Sequence, residues 1–269
     1  MADTDGLAWR ILPLTVADQQ VHLDYGQRLL AAPVPPPPTL YWSQAQSTGL
    51  VLGFSQKASQ LNVEALRRLA LPLYQRQAGG TAVLVGPDLL ALDVFLPPGH
   101  PLILTDVVES YRWLGETWVA ALARLGVPTR LVLPAEARAQ QALLRQPATA
   151  PREAVLRRAC YGSLSPYEVV THDQRKVVGL TMVRRRTGSL LQAGLLLRWE
   201  VEPLALVLGQ TAEEQALLRS ELPRRAVGLE ALAGRAITAA EVIAAFELAL
   251  LALSFPQPPA KYSSSPAEA

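Results

Sequence analysis

The chain has 269 residues, half of them apolar and 18% charged, with a formal net charge of +2. These values exclude a long disordered chain, a collagen-like repeat and a disulfide scaffold, and the length suffices to bury a sizeable core. The near balance of charge argues against nucleic-acid binding by the whole surface, although the basic pI leaves room for a local patch.

The opening MADTDGLAWR carries acids where a signal peptide carries bases, and no apolar segment follows. Residues 21–32 predict a short helix with Leu23, Leu29 and Leu30 on its apolar side. The proline run at 33–38 stops it and forms an extended connector. Residues 39–42 and 49–54 suit strands, and Asn62 is placed to cap a helix over 63–70 that ends before Pro72. Strands are expected at 71–76 and 81–85, flanking Ala78-Gly79-Gly80, and at 89–96. Thr105 or Asp106 caps a long amphipathic helix to Leu125, stopped by Gly126-Val127-Pro128. A short strand follows at 129–133, then a polar stretch at 134–151 that reads as a surface helix with a mobile loop.

Residues 167–171 and 176–186 read as two strands around a hairpin at 172–175, with a third strand at 190–199. From about residue 200 the pattern is helical, at 211–220 and 238–254. The most apolar stretch, 242–255, is shorter than the ~20 residues of a bilayer span and is interrupted by Glu247. The Ser/Pro/Ala tail from Pro256 is expected to be disordered. Clustered strands with interspersed and terminal helices predict an α+β fold, a mixed β-sheet with packed helices and a C-terminal helical segment. The expected organisation is one domain over residues 1–255 and a tail over 256–269, in a soluble cytoplasmic protein with no membrane or nucleic-acid partner.

Few residues offer chemistry. The single cysteine, Cys160, excludes an internal disulfide and a multi-cysteine metal site, and His22, His100 and His172 lack ligand spacing, so no metal is expected. Of the 25 basic residues only Lys57, Lys176 and Lys261 are lysine. In an arginine-rich chain a retained lysine marks a position that needs a compact ammonium. The Gly79-Gly80 turn can bring backbone N–H groups near an anion, with Arg76 beside it, although most such turns are only turns. Cys160 follows Arg157 and Arg158 and precedes Lys176, and nearby cations favour a thiolate, but a lone cysteine is more often a small buried apolar residue. Residues 145–186 hold nine basic and three acidic side chains, a segment that could steer an acidic partner or be a solvated strand.

The order of these parts resembles the lipoate–protein ligase and octanoyltransferase family, which shares its catalytic domain with biotin–protein ligases. Leu23-Asp24 is similar to an early Leu-Asp helix of that family. Pro38-Thr39-Leu40-Tyr41-Trp42 and Gly49-Leu50-Val51-Leu52-Gly53-Phe54-Ser55-Gln56 are similar to its first strands. Arg76-Gln77-Ala78-Gly79-Gly80-Thr81-Ala82-Val83 resembles its Arg-Arg-x-(Ser/Thr)-Gly-Gly-x-x-Val motif. The most specific likeness runs from Cys160-Tyr161-Gly162 through Tyr167-Glu168-Val169 and Arg175-Lys176-Val177-Val178-Gly179 to Leu190-Leu191-Gln192-Ala193-Gly194. Lys176 falls on the family's active-site lysine, and Cys160 on the acyl-accepting cysteine of the cysteine-containing octanoyltransferase branch. The chain departs from the family at Gln75, at Val85-Gly86 where His-Asp is usual, at Leu180-Thr181-Met182, and at Ala193 and Leu195.

The resemblance implies a biotin/lipoate protein ligase-like catalytic domain and three alternative activities. In the first, octanoyl or lipoyl passes from acyl carrier protein through a Cys160 thioester to a lysine of a lipoyl domain, without a cofactor. The acceptor would belong to a 2-oxoacid dehydrogenase or to the glycine cleavage H protein. Lys176 would stabilise the oxyanion, and Leu180 and Met182 would border an apolar groove. In the second, an ATP-dependent ligase uses ATP with Mg and lipoate to form lipoyl-adenylate, and Cys160 is incidental. The third is a catalytically degenerate binding relative. The resemblance places acyl or adenylate binding at Arg76, Gly79, Gly80, Thr81, Val83, Gly179, Gln192 and Gly194.

Overall fold

The computed structural model describes residues 9–253. Strands β1 (Arg10–Ala17), β2 (Thr39–Ala45), β6 (Leu89–Leu96), β7 (Arg130–Leu131), β8 (Val169–Val170), β9 (Lys176–Arg185) and β10 (Gly188–Leu196) form one sheet in the order β1-β2-β6-β10-β9-β8-β7. A second sheet has the order β4-β3-β5, from β3 (Gly49–Leu52), β4 (Leu73–Gln75) and β5 (Val83–Val85). β1 pairs parallel with β2, and the β2-β6-β10-β9 run is antiparallel. The mixed-sheet α+β expectation holds.

Alternation along the strands sorts side chains onto two faces of the large sheet. One face carries Leu40, Trp42, Leu90, Leu92, Leu191, Ala193 and Leu195, and packs on α3 (Arg112–Arg124) and on the helix Ala239–Leu251. At its centre Trp42, Trp118 and Phe246 meet with ring centroids 4.7–5.9 Å apart. Aromatic rings at these separations add to the area that they bury. A second core lies against the small sheet, where Leu50 and Leu52 meet α2 (Val63–Arg68), α5 (Ala150–Leu156), α6 (Glu202–Leu208) and α7 (Ala212–Arg225). The opposite face of the large sheet is covered at one end by α1 (Gln19–Ala31), through Leu29 and Leu30.

Caps fall where side chains can reach the first orphan amides. Asn62 accepts from the Ala65 N–H at 3.1 Å, as its sequence position predicts. Asp106 accepts from the Val108 and Glu109 N–H groups, but it opens a 3-10 turn (Glu109–Tyr111), and the α-helix begins only at Arg112. The stretch 134–151 is not a single helix and loop: α4 (Pro134–Ala142) is followed by a 3-10 turn and by α5, whose first turn contains Pro151. Proline at a helix start spares an orphan N–H, so Pro151 opens α5 rather than ending a loop. The tail from Pro256 lies outside the described residues. No helix among the described residues is long and apolar enough to cross a membrane.

Candidate active site

Between the uncovered part of the large-sheet face, the small sheet and α1 lies a cavity of about 550 Å³. Its floor follows from strand register. Tyr41, Asp93, Gln192 and Thr181 stand side by side across β2, β6, β10 and β9. Two residues further along the strands, Ser43, Ala91, Gly194 and Gly179 form a parallel row of small side chains. The small row leaves volume above the sheet, and the polar row borders it.

The turn after β4 forms a rim. Gly80 has φ +92°, a region that a side chain rarely adopts, and a Cβ there would stand 2.7 Å from the Arg76 guanidinium. Arg76 donates to the carbonyls of Gly79 and Thr81, which fixes the turn's shape. The chain then pairs with the cysteine segment: the Ala82 N–H donates to the Arg158 carbonyl at 3.0 Å, and the Cys160 N–H to the Ala82 carbonyl at 2.7 Å. These two bonds join residues nearly eighty positions apart in the chain and hold Cys160 beside the Gly79-Gly80 turn. Cys160 is a half-buried free thiol at the edge of the small apolar cluster formed by Leu89, Tyr161, Leu196 and Ala226.

Lys176 is 1% exposed. Its Nζ donates to the Cys160 main-chain carbonyl at 2.9 Å and lies 2.7 Å from Glu168 Oε2. It also sits 5.4 Å from the centre of the Tyr161 ring, whose hydroxyl donates to the Gly194 carbonyl. Glu168 accepts further from the Ser165 N–H at 2.7 Å and the Leu180 N–H at 3.2 Å. Burial pushes the Glu168 carboxyl up, and the Lys176 ammonium and the two amides oppose that rise. An ammonium has three donors, and two of those of Lys176 are engaged here among the described residues.

All ten predicted site residues line this one cavity: Cys160, Lys176, Arg76, Gly79, Gly80, Thr81, Val83, Gly179, Gln192 and Gly194. Leu180 and Met182 also line it, while packing against the main core. Two electrostatic expectations need correction. Arg158 is turned away from the thiol, onto both oxygens of Glu214 and the Leu208 carbonyl. Lys176 holds the main chain of Cys160 rather than its sulfur. The basic excess at 145–186 is also smaller in space than in sequence. Arg152 pairs with Glu153 and Glu221, Arg158 with Glu214, Arg175 with Asp173 and Lys176 with Glu168. Among the described residues Arg157 has no carboxylate partner, and it lines the cavity. Sequence reasoning passed over Asp93, whose carboxyl stands in the polar row and accepts from Gln192 Nε2 at 2.9 Å. Its available signal was a lone acid within an otherwise apolar strand.

A family model described as the lipoyl protein ligase A/B catalytic domain matches residues 18–251. An Exiguobacterium protein named octanoyltransferase LipM is 32% identical over 212 residues, covering 78% of this chain and 72% of that relative. A Kyrpidia tusciae protein of the same name is 33% identical over 209 residues, covering 77% and 72%. Among solved structures, a bipartite lipoate protein ligase from Thermoplasma acidophilum has a TM-score of 0.70 at 16% identity, covering 94% of this chain and 87% of that one. A lipoate-protein ligase A bound with ATP has a TM-score of 0.64 at 16% identity, covering 90% and 83%. At that identity the two structures establish a shared fold.

Proposed function

The chain belongs to the lipoyl protein ligase A/B catalytic domain family, and on that premise we propose that it is an octanoyltransferase that works through Cys160. The observation that carries this reading is the meeting of Cys160 and Lys176 in one cavity, 2.9 Å apart through the Cys160 carbonyl. The relatives named octanoyltransferase support the acyl group.

The donor is an octanoyl thioester on an acyl carrier protein. Cys160 Sγ bonds the thioester carbonyl carbon, the donor's C–S bond breaks, and the thiol proton leaves on the departing thiol. Negative charge on the carbonyl oxygen meets the Lys176 ammonium, and the N–H groups of the Gly79-Gly80-Thr81 rim supply a further dipole. The ε-amine of a lysine on a lipoyl domain then attacks the Cys160 thioester. The amide forms, and the thiol returns with a proton from that amine. The small row at Gly179, Ala91 and Gly194 leaves room for the chain.

The residues do not fit the magnesium that a nucleotide route would need. Val85 and Gly86 stand where the family usually has His-Asp. The two carboxylates lining the cavity, Asp93 and Glu168, are engaged by Gln192 and Lys176. The deciding assay is acylation of a purified lipoyl domain by octanoyl-carrier protein, with and without ATP. The expected result is equal product in both, loss of product in Cys160→Ala, and a fall on the order of 10²-fold in Lys176→Arg. Product that requires ATP and free acid, and survives Cys160→Ala, would replace this reading with the ligase one.

A further inference from the structure

The basic segment ends in three consecutive arginines that the site does not use. Arg184 and Arg185 finish β9, and Arg186 begins the turn to β10. All three are exposed, and none has a carboxylate partner among the described residues, whereas Arg152, Arg158, Arg175 and Lys176 are all paired. What these arginines touch is neutral. Arg184 donates to the carbonyls of Leu104 and Thr105, and Arg185 Nη2 donates to Gln77 Oε1 at 3.4 Å. Guanidinium groups with no counter-charge in their own chain keep their field for another molecule.

These bonds tie the arginines to the edge of the cavity. Leu104 and Thr105 lead to Val107 and Val108, which line the cavity, and Leu104, Val107 and Val108 are large apolar side chains left exposed. Asp106, the acid between them, is engaged by the Val108 and Glu109 N–H groups. Gln77 precedes the Gly79-Gly80 rim. The arrangement is an apolar lip flanked by cations where the cavity meets the surface.

Distance decides which partner this surface suits. Lys176, whose Nζ bonds the Cys160 carbonyl, is the first residue of β9, and Arg185 is the last of its ten. Nine steps along a strand span roughly 30 Å. Between these ends, beyond Asp93, the cavity floor is closed by Phe95, Val183 and Leu190 under Leu29 and Leu30 of α1. A lipoyl domain brings a lysine, a short side chain on its own surface, to the Cys160 thioester. A carrier protein holds its thioester at the end of a long phosphate-linked arm, so its body rests far from the cysteine. Cations at the far end of β9 fit the second partner.

We propose that Arg185 and Arg186, with the apolar lip at Leu104, Val107 and Val108, form the docking surface for an acidic, arm-bearing carrier protein that delivers the acyl group. The inference rests on the transferase reading and adds to it the place where the donor binds. Arg184 holds the lip in position through its two carbonyl bonds.

The test follows acylation of the full chain by intact-protein mass spectrometry, with limiting octanoyl-carrier protein or with octanoyl-N-acetylcysteamine, a thioester that lacks both the protein and the phosphate. Arg185→Glu combined with Arg186→Glu is expected to lose about tenfold in rate with the carrier protein. The same variant keeps its rate with the small thioester, and once loaded by it transfers to a lipoyl domain as the unaltered chain does. Raising salt from about 0.05 M to about 0.3 M is expected to slow the unaltered chain with the carrier protein and not with the small thioester. That contrast decides the matter should the glutamate variant not fold. Equal carrier rates in the variant and the unaltered chain would overturn the surface alone, as would a salt dependence shared by both donors. A loss confined to the lipoyl-domain step would overturn it too, by giving the surface to the acceptor. Failure of both donors to acylate the unaltered chain would overturn the transferase reading itself.

Discussion

Glu168 and Asp93 are two carboxyls buried in the wall of one cavity, and the protein treats them differently. Glu168, at the reacting end, receives an ammonium and two backbone amides. Asp93, at the closed end, receives one side-chain amide. Burial raises both. At the first, the ammonium and the two amides oppose that rise and fix the position of Lys176. The second is left near the point where it takes or releases a proton at neutral pH. The contrast shows how one cavity wall can hold a fixed ion pair and, apart from it, a carboxyl that burial brings close to neutral pH.

The largest effect should come from dismantling the fixed pair. Lys176→Ala leaves Glu168 buried without its ammonium and is expected to cost about 3–5 kcal/mol in urea unfolding. Lys176→Met combined with Glu168→Leu should recover most of that loss, because neither charge then remains buried. A single variant as stable as the unaltered protein would contradict a charged pair.

The closed end predicts a pH effect of definite sign. Asp93 binds its proton more tightly folded than unfolded, so its contribution to stability is full below about 3.8 and is lost as pH rises through about 7. Asp93→Asn removes that loss. Relative to this variant, the unaltered protein should weaken between pH 4 and pH 8 by a few kcal/mol, on the order expected for a buried carboxyl. Parallel stability curves for the two proteins would show that Asp93 is not proton-labile. The smallest effect belongs to Gln192→Leu. Above pH 7 it should destabilise by about 1–2 kcal/mol through loss of the single donor, and below pH 5 by less.

Much of the frame was legible in sequence, because turn residues and alternation mark the strands locally. The run over 89–96 matches β6, and the Asn62 cap and the hairpin before Lys176 fall where expected. Strand β1 was not legible. Pro13 interrupts it, and its register with β2 shifts between Leu12 and Thr15, which an edge strand tolerates. Helix α6 lies within the stretch read as helical from about residue 200, but its own bounds were not read; it opens with Pro203 in its first turn. At the site, Lys176 stood out because this chain otherwise uses arginine. The partners of the basic segment did not, because Glu214 and Glu221 lie more than fifty residues away on α7. Asp93 acquires meaning only from the strand pairing that sets it opposite Gln192.

The most direct test of the account is intact-protein mass spectrometry after mixing the chain with octanoyl–acyl carrier protein in the absence of ATP. The account predicts one added octanoyl group, absent in Cys160→Ala and discharged when a lipoyl domain is supplied. An unacylated protein, or an adduct that persists in Cys160→Ala, would contradict transfer through Cys160.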